Sequence, residues 1–114
     1  MTANSPYRGR FAPSPSGPLH AGSLVAAMAS YVHARRHQGA WLLRIEDVDE
    51  TRTRPGAADD ILRTLDTLGF EWDDRVVYQS QRKERYAEVL EHLLDSGHAY
   101  PCACSRADIA EAGT

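Results

Sequence analysis

The sequence predicts an α/β fold with a parallel sheet and flanking helices. Two observations carry that reading. First, the run Tyr7 to Ala12 has the character of a short strand, a helical stretch follows from about Ala21 to His37, and a second strand-like run covers Ala40 to Glu46. Strand, helix and strand in that order form a βαβ unit, whose strands lie parallel. Second, the later run alternates: Trp41, Leu43 and Ile45 fall on one face, and Leu42, Arg44 and Glu46 on the other.

The elements follow in order. Met1 to Pro6 is polar and expected to be loose. After the opening strand comes a stiff loop in which Pro13, Pro15 and Pro18 are interspersed with Ser14, Ser16 and Gly17. Each proline fixes its own φ and restrains the residue before it. The helix starting near His20 places Leu24, Met28 and Tyr31 at helical spacing, and Val25 and Val32 widen the stripe, so these five are expected in the core. Arg35, Arg36 and His37 suit its last turn, and Gly39 suits its stop. Pro55-Gly56 marks a turn before a helix from about Ala57 to Leu68, with Ile61, Leu62, Leu65 and Leu68 expected inward and Gly69 at its end. Val76 to Tyr78 reads as a third strand. Residues 79–82 lead into a further helix that Ser96-Gly97 closes, with Tyr86, Val89, Leu90, Leu93 and Leu94 expected inward.

The strand–loop–helix opening carries the chemistry. The first N–H groups of a helix lack partners, and the helix dipole adds positive potential there, so such a place binds phosphate. His20 can donate to a phosphate oxygen, Gly22 leaves room for close approach, and Ser14, Ser16 and Ser23 supply hydroxyls. Arg10 and Glu46 both lie near carboxyl ends of strands, where open parallel sheets bind ligands. A guanidinium and a carboxylate at one edge could read an amino acid, the first taking its carboxylate and the second its ammonium. They could equally pair with each other, and chemistry alone leaves the two readings level. His33 and His37 have metal-compatible spacing but read as surface histidines.

Composition sets the outer limits. The chain has 114 residues and a net charge of −3, with 42% hydrophobic and 25% charged residues, which suits one globular domain. Residues 1–54 hold seven arginines against four acidic side chains, whereas the remainder holds six basic against twelve acidic. The basic part contains the phosphate loop, where an anion could be steered. No apolar run approaches the ~20 residues that span a bilayer, and no apolar signal core opens the chain, so no membrane is expected and the default location is cytoplasmic. Cys102 and Cys104 do not suggest a disulfide scaffold.

Arg10-Phe-Ala-Pro-Ser-Pro-Ser-Gly-Pro-Leu-His20-Ala-Gly22-Ser23 resembles the ATP signature of class I aminoacyl-tRNA synthetases in the glutamyl and glutaminyl branch, with Ser23 in place of the second histidine. Leu43-Arg44-Ile45-Glu46-Asp47-Val48-Asp49 is similar to that branch's second signature. The resemblance implies a Rossmann-like catalytic domain, of which residues 1–114 would be the N-terminal half, read as a truncated piece prone to marginal stability or self-association. It implies that Arg10, Ser14 and Glu46 bind glutamate. It implies that Ala12, Ser16, Gly17, His20 and Gly22 contact ATP, with His20, Gly22 and Ser23 assisting catalysis. Magnesium would accompany ATP; Asp47 and Asp49 are expected to orient nearby backbone and Arg52 or Arg54 rather than to hold the ion. Tyr100-Pro-Cys102-Ala-Cys104-Ser-Arg106 resembles the start of the branch's zinc module, so about 98–114 would open that module, with Cys102 and Cys104 as the first ligands and the others farther along.

Within the branch, Ser16 and the following Gly22-Ser-Leu-Val-Ala-Ala, together with Tyr78-Gln-Ser-Gln-Arg82, resemble a paralogue without an anticodon-binding half. That resemblance implies transfer of glutamate to the queuosine base of tRNA(Asp), by a longer protein that is monomeric. The alternatives are an ordinary enzyme charging tRNA(Glu) and a non-catalytic module that holds glutamate or tRNA.

Overall fold

The computed structural model describes residues 6–113. The expectation of a loose start therefore lies, for residues 1–5, outside the described residues. The elements are β1 (Arg8–Phe11), α1 (Ala21–Arg36), β2 (Ala40–Ile45), α2 (Ala57–Thr67), β3 (Val77–Tyr78), a 3-10 turn (Gln79–Arg82), α3 (Lys83–Asp95) and α4 (Arg106–Ala112). The chain divides into two compact units after Lys83. Among the described residues no helix is long and apolar enough to cross a membrane.

The first unit holds the sheet, in the order β1-β2-β3. Both pairings are parallel, with Gly9 opposite Trp41, Phe11 opposite Leu43, and Ile45 opposite Tyr78. The expected βαβ unit is present. Trp41, Leu43 and Ile45 are buried, as their alternation predicts, together with Phe11, Ile61, Leu65 and Phe70. Trp41 is the hub. It stacks on Phe70 at 5.4 Å and meets Tyr31 edge-on at 4.9 Å between centroids, and its indole N–H donates to Ser30 Oγ at 2.9 Å. A buried indole thus has both its apolar and its polar requirements met.

The core face of α1 is a correction. The helix buries Ala27 and Ala34, not the larger side chains: Val25, Met28 and Val32 are exposed, and Leu24 and Tyr31 are only half-buried. The reason is close approach. Gly9 of β1 lies so near the helix that a Cβ there would stand 3.1 Å from Ala34 Cβ. A backbone pressed that close leaves room for methyl groups only at the contact, so Val25, Met28 and Val32 turn outward while Tyr31 packs at the core margin. The second helix follows its pattern better. Ile61 and Leu65 are fully buried and Leu62 packs at the core margin. Leu68, expected inward, is exposed because it falls on the C-cap, where the chain turns off through Gly69 at φ 90°.

The second unit is helical. In α3, Tyr86, Val89, Leu90, Leu93 and Leu94 are all exposed, which corrects the inward assignment. They have helical spacing, but among the described residues of this unit only the short α4 accompanies α3, and the stripe stays exposed. Gly97, at φ 78°, ends the helix as expected. Ser105 begins α4 with a reciprocal cap: its hydroxyl accepts from the Asp108 N–H, and the Asp108 carboxylate accepts from the Ser105 N–H.

Candidate functional site

The loop between β1 and α1 is stitched to the chain that follows β2. The Glu46 N–H donates to Pro13 O at 3.0 Å, and the Arg54 N–H to Pro15 O at 3.0 Å. Pro15 is fully buried, while Ser14 and Ser16 are exposed. Two adjacent hollows share those serines. One is lined also by Glu46, Asp49, Arg52 and Thr53. The other runs past Gly17 to His20 and Ser23. Ala12 lies on neither lining and is half-buried just beyond β1.

His20 caps α1. Its Nδ1 accepts the Ser23 N–H at 3.2 Å. A neutral imidazole that accepts at Nδ1 carries its proton on Nε2, so the exposed ring presents an Nε2–H donor. Gly22 lies close against this ring: a Cβ there would stand 3.0 Å from His20 Cε1 and 3.1 Å from Nδ1, so a side chain at this position would press on the capping imidazole. Ser23, expected to act through its hydroxyl, enters here through its backbone N–H.

Arg10 and Glu46 meet, but loosely: Arg10 Nη1 stands 3.9 Å from Glu46 Oε1. The tighter partner is Arg44, whose Nη2 donates to the same oxygen at 2.9 Å. Neither alternative from the sequence included this contact, although residues two apart on a strand share a face. Asp47 orients backbone, as expected, but in a distant segment and without the expected arginine. It orients neither Arg52 nor Arg54; it accepts from the Ser80 N–H at 2.8 Å and the Ser80 hydroxyl at 2.7 Å, tying the end of β2 to the 3-10 turn after β3. Asp49 behaves as expected, accepting from Thr51 and facing Arg52 Nε at 3.5 Å. The Thr51 hydroxyl, with smaller help from Arg52, holds the Asp49 carboxyl below its ordinary range.

Metal groups fare differently from the loop. Among the described residues no cluster of three or more His, Cys, Asp or Glu side chains is placed to hold an ion. Asp47 and Asp49 are each bonded to protein groups, Asp47 to Ser80 and Asp49 to Thr51. Cys102 and Cys104 are free and exposed, and the His98 ring is bonded to Ser96 Oγ at 2.9 Å. The Cys104 N–H holds the Cys102 thiol below its usual range, which favours the thiolate. Two thiols are half of a structural zinc set, so the described residues build no zinc site.

A parallel sheet, a stiff loop entering a capped helix, and an arginine facing a glutamate across two strand tips define a class of protein. Residues 7–113 match the model of the catalytic domain of class I tRNA synthetases (E and Q), and the chain belongs to that family. More particular likenesses sharpen this. The chain is 66% identical over 111 residues to the glutamyl-Q tRNA(Asp) synthetase of Dechloromonas aromatica, covering 97% of this chain and 37% of that protein. It is 61% identical over 113 residues to the protein of the same name from Geobacter sulfurreducens, covering 99% and 36%. Among solved structures, a glutamate tRNA ligase from Elizabethkingia meningosepticum in complex with its amino acid superposes with a TM-score of 0.80 at 32% identity, over 94% of this chain and 23% of that one. The chain thus spans little more than a third of these curated relatives.

Proposed function

We propose that this protein activates L-glutamate with ATP and transfers it to the queuosine base of tRNA(Asp). The observation that carries the reading is Glu46 on the wall of a hollow it shares with Ser14 and Ser16, with Arg10 3.9 Å from its carboxylate and a second hollow leading from the same serines to His20. The names of the relatives that are 57–66% identical support tRNA(Asp) as the acceptor. On this reading Glu46 takes the substrate ammonium, Arg10 a substrate carboxylate, and Ser14 lines the pocket. Ala12, Ser16, Gly17 and Gly22 border the nucleotide, and His20 Nε2–H and the start of α1 face its phosphates.

The reaction has two steps. The glutamate α-carboxylate attacks the α-phosphorus of ATP; a new C–O–P bond forms, and pyrophosphate leaves. A hydroxyl of the queuosine ring then attacks the carbonyl of the mixed anhydride; an ester C–O bond forms, the acyl C–O bond to phosphate breaks, AMP leaves with that electron pair, and the hydroxyl proton passes to solvent. No protein nucleophile is required. The chain's contribution is to position the reactants and to stabilise charge on phosphate oxygens. ATP enters as its magnesium complex, and the location follows that of tRNA, the cytoplasm.

The test uses the full-length protein, labelled glutamate, and tRNA(Asp) with or without queuosine. Label is expected only on the queuosine-containing tRNA, together with glutamate-dependent ATP–pyrophosphate exchange. Label on tRNA(Glu) would identify an ordinary synthetase. Binding without exchange would identify a non-catalytic module.

A further inference from the structure

One carboxylate oxygen at the strand tips faces two cations at unequal distance. Glu46 Oε1 accepts from Arg44 Nη2 at 2.9 Å, while Arg10 Nη1 waits at 3.9 Å. Charge-assisted N–H···O bonds close at about 2.7–2.9 Å, so Arg44 is bonded and Arg10 is not. The two arginines also differ in freedom. Arg44 lies on the central strand opposite Val77, with its side chain 34% exposed and its Nε buried. Arg10 lies on the neighbouring strand β1 with its side chain 55% exposed. The held cation has the carboxylate, and the freer one stands open.

The geometry points to Arg44 as a positioning residue for amino-acid binding, one that holds Glu46 away from Arg10 so that neither recognition group is consumed by the other. The inference rests on the glutamate-binding reading of the site. A zwitterion needs a carboxylate for its ammonium and a forked cation for its carboxylate. If Arg10 and Glu46 closed on each other, both would have to be released before substrate could enter. Arg44 bonds Oε1 from the strand side, leaves Oε2 for an ammonium, and keeps the Arg10 fork available. Arg44 itself touches no substrate in this scheme.

The test is a mutant cycle in the full-length protein, read by ATP–pyrophosphate exchange. Arg44→Met keeps the apolar stem and removes every donor, whereas Arg44→Lys keeps a charge without the fork. Arg44→Met should raise KM for glutamate about 10-fold or more, with KM for ATP and kcat within about 2-fold, the pattern of lost ground-state binding. Arg44→Lys should recover part of that loss. In a Glu46→Ala background, which removes the acceptor, Arg44→Met should change KM for glutamate by less than about 2-fold, because the pair is already broken. Equal changes in the two KM values, or additive effects in the double variant, would overturn the assignment and mark Arg44 as structural. If Arg44→Met melts too early to assay, the same cycle with Arg44→Lys reads the coupling. Wild-type exchange with an unaffected Arg44→Met removes this inference alone; wild-type protein without exchange removes the glutamate reading and this inference with it.

Discussion

At each end of β2 an arginine meets a carboxylate, and the two pairs are built for different ends. At the amino end, Arg35 Nη1 donates to Asp73 Oδ2 at 2.9 Å and to Gly39 O at 3.1 Å, and its other terminal nitrogen donates to Glu71 O. Asp73 Oδ2 also accepts the Trp41 N–H at 2.8 Å, and the guanidinium lies 4.9 Å from the Tyr31 ring centroid. Its partners are supplied by the chain. At the carboxyl end, Arg10 stands 3.9 Å from Glu46, and the exposed His20 ring directs Nε2–H away from its helix. The amino-end network joins elements of the chain; on the proposed function, the carboxyl end is the one that substrate completes. Substitutions at the two ends should therefore fail in different ways.

The largest effect is expected at His20. His20→Ala in the full-length protein should slow adenylate formation about 100- to 1,000-fold, the usual cost of losing one charge-stabilising donor, and should also lower stability by roughly 1 kcal/mol through the lost cap. His20→Asn separates the two roles, since asparagine caps well but has no Nε2–H. Single-turnover adenylate formation and thermal melting of both variants check this. Recovery of stability without rate is the expected outcome; recovery of both would make His20 a cap and nothing more.

The amino end should show the converse. A Cβ at Gly39 would stand 2.2 Å from Tyr7 O, a backbone atom that accepts the Ala40 N–H, so the β1–β2 junction must shift. Gly39→Ala should cost about 3 kcal/mol, at the upper side of overpacking losses, with KM for glutamate unchanged. Denaturant titration beside exchange kinetics measures both. An intact melt, or a raised KM, would undo the contrast between the ends.

The smallest effect belongs to Asp73. The Arg35 hydrogen bond, with the Trp41 N–H behind it, holds the Asp73 carboxyl below its ordinary value. A carboxyl depressed on folding contributes stability that is complete above its unfolded value near 3.8, and that contribution is lost as pH falls through the folded value. Both side chains are partly exposed, at 34% and 44%, so solvent screening reduces the pair's contribution. Asp73→Asn should cost about 1 kcal/mol at neutral pH, with the difference from wild type shrinking below pH 4. Melting curves from pH 7 to pH 3 would show the convergence; parallel curves would mean that the pair adds nothing.

Much of the scaffold was legible because strand periodicity reports burial directly. Trp41, Leu43 and Ile45 alternate with Leu42 and Arg44, and only the first set reaches the core. Helix α2 was legible for a similar reason, with Ile61 and Leu65 one turn apart. The α1 assignment failed because periodicity ranks side chains by size and cannot register how near two backbones come; Gly9 and Ala34 set that distance. In α3 the apolar spacing was legible, but burial also depends on a covering layer. At the site, Arg10, Ser14, Ser16, His20 and Glu46 could be named from motif and position. The Arg44–Glu46 bond and the Asp47–Ser80 link could not, the second because its partners are 33 residues apart.

What the residues determined unaided was local: where strands and helices begin, that the first two strands run parallel, and which side chains stand near the strand tips. Covalent geometry, glycine and proline restraint, and alternation suffice for that, since each acts over a few residues. Only tertiary structure decided which partner each charge took. Glu46 has two arginines within reach, and the choice between them, Arg44 at 2.9 Å against Arg10 at 3.9 Å, is set by the packing of the strands. That same packing turned the small face of α1 inward and gave the Asp47 carboxylate to Ser80.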